Sequence, residues 1–398
     1  MADHHADAGA PGDAGGAGDA ARSLRPGLDF AALRRWPDVE ADNLFAYDAA
    51  DKLLLDTAEP LITGLAGSRI AVVNDRYGAL TLALAAAGKQ GIRVLQDALS
   101  SERALDNNAS RLGLSGYGHR PLEPSALDGV RLVLLQLPRS LDALEEIAGC
   151  VAAAASPDVT VLAGGRVKHM STAMNSVLSA SFSSVTAGLA RQKARILTAS
   201  GPLPSVGARF PRTEEHDVGL PVPLRLVAFG GTFGGPKLDP GTRFLLPLLA
   251  DAREASRAVD LGCGNGTIAA YLALARGGLR VLAMDQSASA VSSARATAEA
   301  NAVADRVEVR RDDALSSLPA ASEQLVVLNP PFHIGNAVHA GIALKLFADA
   351  GRVLAPGGEL WTVWNSHLAY KPALNRLVGP TRQVARNPKF TVTVSTRA

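Results

Sequence analysis

The chain has 398 residues, and with 47% hydrophobic and 20% charged residues its composition is that of an ordinary globular protein. This excludes a collagen-like chain and one that is disordered throughout, and the length predicts two or three domains with sizeable cores. The formal net charge of +2 excludes neither a nucleic acid nor a small molecule as a partner.

The first residues, 1 to about 24, are rich in Ala, Gly, Asp and His and lack a charged-then-apolar signal pattern, so they predict a disordered tail. No apolar stretch approaches the roughly 18 residues that a membrane-spanning helix needs, and no membrane segment is predicted. The two cysteines, Cys150 and Cys263, lie far apart and outside any metal-ligand spacing. They predict neither a disulfide nor a metal site, and they favour a reducing, cytoplasmic location.

After the tail, short β-branched or Leu-rich runs alternate with Ala-rich stretches, which is typical of a mainly parallel sheet covered by helices. Five prolines between 201 and 223 predict a linker that separates two α/β domains, over 25–200 and 224–398. Strands are predicted at 69–73, 93–96, 131–137, 159–163 and 195–198, and again in the same order at 258–261, 280–284, 306–310, 324–328, 358–364 and 391–395.

The two halves align as copies of one domain. The run 72–78 matches 260–266 and ends in the same residue, since Gly78 falls on Gly266. We infer a duplication whose first copy has lost its ligand-binding residues, although any two doubly wound domains can be aligned in this way. The replacements that support the inference are Gly262 by Asn74, Gly264 by Arg76, and the tetrapeptide 329–332 by 136–139.

Residues 260–266 spell Asp-Leu-Gly-Cys-Gly-Asn-Gly at the end of a predicted strand. Such a turn into a helix is expected to present backbone N–H groups to a ligand that approaches the main chain closely. Asp285 ends the next strand, where it can accept from ribose hydroxyls, and Asp313 follows the third, near an adenine amino group. Three acids at successive strand ends favour S-adenosylmethionine over a nicotinamide dinucleotide, which the glycines alone leave open. The candidate donor contacts are Asp260, Gly262, Gly264, Asn265, Gly266, Asp285, Asp313, Ala314 and Asn329, with the choice between Asp312 and Asp313 left open.

Residues 329–332 spell Asn-Pro-Pro-Phe after an apolar run. The exocyclic amine of a purine is a weak nucleophile, because its lone pair is delocalised into the ring. The side-chain oxygen of Asn329 and the carbonyl of Pro330 can each accept one amine N–H and so aim the lone pair at the methyl donor. Pro331 stiffens the turn, and Phe332 offers a face on which a base can stack. These four residues are the candidate catalytic residues, the alternative being a merely rigid turn, and His333 is expected to line the pocket rather than act as a base.

On these motifs the chain resembles bacterial ribosomal RNA guanine-N2 methyltransferases of the two-domain kind, over about residues 40 to 397. These enzymes have a degenerate methyltransferase domain followed by an active one with Asn-Pro-Pro-Phe-His, as at 329–333. The runs 48–51, 74–80, 238–244 and 365–370 favour the large-subunit branch. The resemblance implies tandem Rossmann-like class I methyltransferase domains and transfer from S-adenosylmethionine to N2 of one guanine in 23S ribosomal RNA. Two departures are the tail and Pro240, which stands where an apolar residue is expected.

Other substrates remain open at this point, because enzymes with the same tetrapeptide methylate adenine N6 in DNA or glutamine in proteins. A 16S ribosomal RNA substrate and a non-catalytic RNA-binding assembly factor are further alternatives.

The predicted partner is ribosomal RNA or a ribosomal subunit, and the tandem arrangement predicts a monomer. Between 159 and 213 there are seven basic residues and no acidic one, which points to a polyanion, although a solvated face would explain it too. We predict that the first domain binds RNA phosphates through the basic residues of this stretch, Arg166, Lys168, Arg191, Lys193, Arg195, Arg209 and Arg212.

Overall fold

The computed structural model of the protein describes residues 28–38, 40–204, 209–331 and 337–398, so the predicted tail to residue 24 lies outside the described part. The first sheet and its helices comprise α1 (Ala49–Ile62), β1 (Ile70–Val73), α2 (Ala79–Ala86), β2 (Ile92–Leu95), α3 (Leu99–Leu112), β3 (Tyr117–His119), α4 (Pro124–Leu127), β4 (Leu132–Gln136), α5 (Leu141–Ala154), β5 (Thr160–Arg166), α6 (Thr172–Ser179), β6 (Phe182–Ala187) and β7 (Ala194–Pro202).

The remaining elements form the second half of the molecule. They are β8 (Arg212–His216), β9 (Leu224–Ala228), α7 (Pro240–Leu245), β10 (Arg257–Leu261), α8 (Thr267–Ala275), β11 (Arg280–Asp285), α9 (Ala288–Ala300), β12 (Val307–Arg311), β13 (Glu323–Leu328), α10 (Ala337–Val353), β14 (Leu354–Asn365), α11 (Lys371–Leu377), β15 (Thr381–Arg386) and β16 (Phe390–Thr396). None of the described helices is both long and apolar enough to cross a membrane.

Two seven-stranded sheets have the same topology. Their strand orders are β3-β2-β1-β4-β5-β7-β6 and β12-β11-β10-β13-β14-β16-β15, so the second repeats the first strand for strand. In each sheet six strands run in the same direction, and one strand, β7 in the first sheet and β16 in the second, runs antiparallel to its two neighbours. The predicted α/β architecture is confirmed, and β3, β6, β8, β9 and β15 are strands that the sequence did not predict.

Each sheet is covered on both faces, and β1 shows why its residues are all apolar. Ile70 and Val72 belong to a buried cluster with Leu54, whereas Val73 belongs to another with Leu144. Successive side chains of a strand point to opposite faces, so a strand with helices on both sides is apolar throughout.

The stretch 201–223, predicted as a linker, is not irregular throughout. It contains the end of β7 and the whole of β8, which pairs with β9 in an antiparallel hairpin. Leu224 and Leu226 of β9 lie in the core of the second domain, and the amide of Val227 donates to Thr297 Oγ1 of α9 at 2.9 Å. The prolines therefore surround a hairpin that packs on the second domain.

The two domains meet through the loops that follow β2 and β11. Ala98 and Ser287, at equivalent positions of the two domains, form an antiparallel bridge, and Ala288 N–H donates to Asp97 O at 2.8 Å. Arg311, the last residue of β12, pairs with Glu102 of α3 at 2.8 Å. The first turn of α3 thus lies beside the carboxyl edge of the second sheet.

Candidate active site

The carboxyl edge of the second sheet brings the predicted site residues together. Because β12, β11, β10 and β13 are neighbours in that order, the residues that follow them lie side by side. Asp313 follows β12, Asp285 ends β11, the glycine run follows β10, and Asn329 follows β13. Parallel strands end at one edge, which is where ligands bind in open α/β sheets.

The three glycines of the loop all have left-handed backbones, with φ of 70° at Gly262, 53° at Gly264 and 79° at Gly266. A Cβ on Gly266 would lie 2.8 Å from Ala294 Cα, so that glycine is required for packing of α8 against α9. A Cβ on Gly262 or Gly264 would meet nothing within 4 Å. Open space in front of these two glycines fits a loop that a ligand approaches closely.

The backbone N–H groups of the loop do not face a ligand as expected. Gly262 and Cys263 donate to Met284 O at 2.8 and 3.0 Å, and Gly264 donates to the Asp285 carboxylate at 3.0 Å. The expected row of free N–H groups is therefore absent from this part of the loop. What these residues offer a ligand is bare main-chain surface.

Asp260 lies buried beneath the loop. Its Oδ2 accepts the amide of Ala269 at 3.0 Å, which caps the first turn of α8. Its Oδ1 is buried and has no hydrogen-bond partner among the described residues. Burial, and then the charge of Asp285, raise the pKa of Asp260 to about 7. A buried acceptor without a partner marks a place where a ligand donor or cation fits.

Asp285 and Asn265 hold the loop in place. Besides the Gly264 amide, Asp285 accepts the Ser287 amide at 2.9 Å, and burial raises its pKa. The Asn265 amide group donates to the Gly235 carbonyl at 3.0 Å, and its oxygen accepts from the Thr267 hydroxyl at 2.6 Å. The side chain of Asn265 is thus used within the protein.

The two acids after β12 have different surroundings. Asp312 accepts the Ser317 amide at 2.8 Å and caps the turn that follows. Burial alone would raise its pKa, but hydrogen bonds from Ser316 and Ser317 outweigh that effect, so the pKa is lowered. Arg103 of α3 pairs with both acids, with Asp312 at 3.5 Å and with Asp313 at 3.4 Å. Asp313 also pairs with Lys345 of α10 at 2.6 Å, a contact that Asp312 does not make.

Asn329 has a fixed side-chain orientation. Its Nδ2 donates to Asp239 Oδ1 at 2.8 Å and to Thr242 Oγ1 at 2.9 Å, so both amide hydrogens are used. Its Oδ1 is buried and has no partner among the described residues. Because a carboxylate accepts only, Asp239 determines which end of the amide is nitrogen. The amide therefore leaves an oxygen acceptor free.

The rest of the tetrapeptide is only partly described. Pro330 is buried and Pro331 is exposed, whereas Phe332 and His333 lie outside the described residues, so their predicted roles stay predictions. Burial raises the pKa of Cys263 well above its ordinary value, which leaves a neutral thiol in the loop. No group of His, Cys, Asp or Glu among the described residues could hold a metal ion.

Four residues of the site had no predicted role. Asp239 and Thr242 orient the Asn329 amide, and Asp239 also begins α7 by accepting the Thr242 amide at 2.8 Å. An Asp-Pro-Gly-Thr run is a visible helix start, and Pro240 fits its first position because it needs no hydrogen-bond donor there. Lys345 and Arg103 gave no sequence signal, since only the fold brings α10 and α3 to Asp313.

The corresponding edge of the first sheet lacks the residues that are predicted to contact the methyl donor. Leu135 pairs with Val73 as Leu328 pairs with Leu261, so Gln136 takes the position of Asn329, as the alignment predicted. The same register places Val72, Asn74 and Gln96 where the second domain has Asp260, Gly262 and Asp285. The first domain therefore keeps the fold without these three predicted donor residues.

Comparisons with known proteins agree with this description. Residues 223–394 match the family model "Methyltransferase small domain", and residues 24–202 match "RLMG N-terminal domain". A ribosomal RNA large subunit methyltransferase G from Streptomyces coelicolor is 36% identical over 376 residues, which cover 90% of this chain and 96% of the relative. The chain belongs to the ribosomal RNA large subunit methyltransferase G family. The relative of that name from Pseudomonas paraeruginosa is 37% identical over 366 residues, covering 90% of this chain and 96% of its own length.

Among solved structures, a 16S rRNA N2 methyltransferase of T. Thermophilus, in complex with AdoMet and guanosine, matches with a TM-score of 0.70. It is 22% identical, and the match covers 83% of this chain and 88% of that one, which shows the shared fold. The family assignment confirms the predicted methyltransferase activity, and with it the S-adenosylmethionine cofactor.

Proposed function

We propose that this enzyme transfers a methyl group from S-adenosylmethionine to the exocyclic N2 of one guanine in 23S ribosomal RNA of the large subunit. The observation that carries the proposal is the free, buried Oδ1 of Asn329, whose amide is locked by Asp239 and Thr242. An acceptor in this position suits a substrate that brings an N–H donor and no acceptor. An exocyclic amine is such a substrate.

The residues present fit the methyl donor. S-adenosylmethionine supplies an electrophilic methyl group on a positively charged sulfonium. Gly262 and Gly264 leave room for a ligand against the main chain, and Asp260 offers its free oxygen to a cationic or N–H group. Asp285 and Asp313 complete the proposed contacts at the ribose and adenine ends. A cationic donor does not need free backbone N–H groups. This agrees with the loop, whose N–H groups at 262–264 donate to Met284 and Asp285 of the protein itself.

The acceptor half of the mechanism is positioning. Asn329 Oδ1 and the Pro330 carbonyl are proposed to accept the two N–H groups of the guanine amine, which turns its lone pair away from the ring. Holding the amine nitrogen in this geometry places it close to the methyl group and in line for transfer, so catalysis comes from proximity and orientation. No strong base is needed, because the nitrogen becomes acidic once it carries the fourth bond.

The family supports ribosomal RNA of the large subunit as the substrate, since its named relatives are large-subunit enzymes. The choice of guanine N2 rests on the resemblance of the tetrapeptide and on the amide geometry. The proposed place of action is the cytoplasm, and the proposed state is a monomer.

The test is direct. The protein is incubated with labelled S-adenosylmethionine and ribosomal RNA from a strain that lacks the gene, and the modified nucleotide is mapped by mass spectrometry. We expect one N2-methylguanine in 23S RNA. Label in 16S RNA, in an adenine or in protein would contradict the assigned substrate. RNA binding without any transfer would support an assembly factor instead.

A further inference from the structure

The carboxylate that holds the Asn329 amide has no counter-ion. Oδ1 of Asp239 accepts Asn329 Nδ2 at 2.8 Å and the backbone N–H of Thr242 at 2.8 Å. Within the described part of the chain, no lysine, arginine or histidine forms an ion pair with Asp239. Asp239 therefore places an unpaired negative charge directly against the nitrogen of the amide.

The hydrogen bonds of Asn329 form a chain that leads to its free oxygen. Thr242, a buried residue, accepts the second Nδ2 hydrogen with its hydroxyl at 2.9 Å. Oδ1 of Asn329 is buried and has no partner among the described residues. Hydrogen bonds in such a chain polarise one another, so a carboxylate at the nitrogen end makes the oxygen end a stronger acceptor.

The first domain has a similar hydrogen bond in the same place, but with a different acid. Helix α1 packs against β5 and β7 as α7 packs against β14 and β16, and Gln136 takes the position of Asn329. Gln136 Nε2 donates to Asp51 Oδ1 at 2.5 Å. Burial raises the pKa of Asp51 to about 8, so this acid is mainly protonated at pH 7. A bond from the helix start to this position thus belongs to the fold, whereas the N-cap carboxylate as its acceptor belongs to the second domain.

Methyl transfer to an amine creates positive charge beside Asn329. The lone pair of the acceptor nitrogen forms a bond to the methyl carbon while the carbon–sulfur bond breaks, and the electrons of that bond stay on sulfur. Sulfur becomes neutral, and the nitrogen is cationic until it loses a proton to water. A negative group placed in advance near this nitrogen lowers the barrier, because the charge develops in the transition state.

We propose that Asp239 is a positioning residue for methyl transfer, which acts through the Asn329 amide and stabilises the positive charge that develops on the acceptor nitrogen. The inference rests on the proposed function, because it takes an exocyclic amine as the acceptor. Thr242 helps to orient the amide, but its hydroxyl is neutral and adds no charge. Asp239 supplies both orientation and charge.

The experiment is a double-mutant cycle on the rate of methyl transfer to ribosomal RNA from a strain that lacks the gene. Single turnovers with excess enzyme and saturating S-adenosylmethionine keep slow variants measurable. Asp239→Asn removes the charge and keeps an oxygen at the helix start, since asparagine caps a helix as well as aspartate does. We expect the transfer rate to fall roughly tenfold, because a hydrogen bond to a charged group is replaced by a neutral one.

The second half of the cycle separates this role from a structural one. In the Asn329→Ala background the same Asp239→Asn change should lower the rate less than about twofold, because the amide that transmits the effect is absent. RNA affinity should stay within about twofold in all variants, since the interaction gains strength only in the transition state.

Two neighbouring positions provide controls. Thr242→Val removes the hydroxyl acceptor and should lower the rate roughly threefold, whereas Thr242→Ser keeps the hydroxyl and should restore it. Asp48 is the N-cap of α1, as Asp239 is of α7. Asp48→Asn is therefore the same change at the equivalent helix start, and it should leave the rate within about twofold.

Two results would overturn the proposal. One is an unchanged rate in Asp239→Asn, and the other is an equal fall in the wild-type and Asn329→Ala backgrounds, which would assign Asp239 to the fold alone. Label in another nucleotide or in protein would count against the proposed function only, and the same cycle is then measured on that substrate.

Discussion

The two domains have the same strand order, yet their carboxyl edges carry different chemistry. In the second domain the loop after β10 leaves open space in front of Gly262 and Gly264, with acids at the ends of β10, β11 and β12. In the first domain the same loop carries Asn74 and Arg76, and Arg139 follows the neighbouring strand β4. The fold therefore tolerates replacement of all these edge residues, as long as the strands and helices keep their packing.

Each domain has a buried carboxylate that caps the helix after its first central strand, but the two carboxylates differ in their second oxygen. Asp260 Oδ2 accepts the Ala269 amide at 3.0 Å, and in the first domain Asp75 Oδ2 accepts the equivalent Thr81 amide at 2.7 Å. Asp75 is not the equivalent of Asp260, because Val72 takes that position in the first domain. The other oxygen of Asp75 accepts the Leu80 amide at 3.3 Å. Both helices thus have a carboxylate cap, but only Asp260 keeps an oxygen free for a ligand.

The largest effect is expected for Asn329→Ala. It removes the free acceptor, so the amine is no longer oriented and kcat should fall on the order of 100-fold or more. Methyl transfer at saturating RNA and saturating S-adenosylmethionine measures this effect. Gln136→Ala, the matched change in the first domain, should leave kcat within about twofold. Equal losses in the two variants would contradict the assigned difference between the domains.

The second-largest effect is expected for Gly262→Asn, which places the residue found at Asn74 of the first domain into the glycine loop 260–266. Asn74 has φ of 62° at the equivalent position, so asparagine is compatible with the backbone at Gly262. The new side chain would occupy the open space, and donor affinity should fall by roughly 100-fold, about 3 kcal/mol. Calorimetric titration with S-adenosylmethionine measures it, and the melting temperature checks the fold.

Gly277→Asn is the matched control for that change, because a Cβ there also meets nothing within 4 Å but lies away from the site. It should bind the donor normally. The reverse change, Asn74→Gly, should not create a donor site, since Val72 and Gln96 replace the two acids. Donor binding by the first domain after that single change would show that the acids are dispensable.

We expect the affinity for S-adenosylmethionine to depend on pH through Asp260. Its pKa is raised to about 7, and a positively charged donor favours the ionised carboxylate. Affinity should therefore be constant above pH 8 and fall below pH 7, approaching about tenfold per pH unit. Binding titrations with S-adenosylmethionine between pH 6 and 8.5 measure this pH dependence. The Asp260→Asn variant should bind S-adenosylmethionine more weakly and without the pH dependence. If the variant keeps the wild-type profile, the pH dependence belongs to another group.

The smallest effect is expected at the junction of the domains. Arg103 of the first domain pairs with Asp313, and its side chain is 35% exposed. Such a pair contributes at most about 1 kcal/mol, so Arg103→Ala should raise the KM for S-adenosylmethionine two- to fivefold without changing kcat. Arg103→Lys should restore much of the affinity. A change in kcat alone would show that the first domain acts on the chemical step.

Most of the fold could be predicted from hydrophobic patterns, because strands buried on both faces are continuous apolar runs. The strands that went unpredicted have a physical reason in common. Three-residue β3 is too short to show a pattern, and β8 is exposed along most of its length. Edge and hairpin strands are held by hydrogen bonds to a neighbour, which their own residues do not reveal.

At the site, the glycine loop, the acids at successive strand ends and the tetrapeptide that begins at Asn329 are all visible in the sequence. These signals are local, since each occupies a few adjacent residues at the end of a strand. Which of their atoms lack a hydrogen-bond partner follows only from the packing of the whole chain. Asp239 fixes the Asn329 amide across 90 residues of chain, and Lys345 and Arg103 come to Asp313 from distant helices. Hydrogen bonding and charge pairing depend on distance in space, and only packing of the two sheets sets those distances.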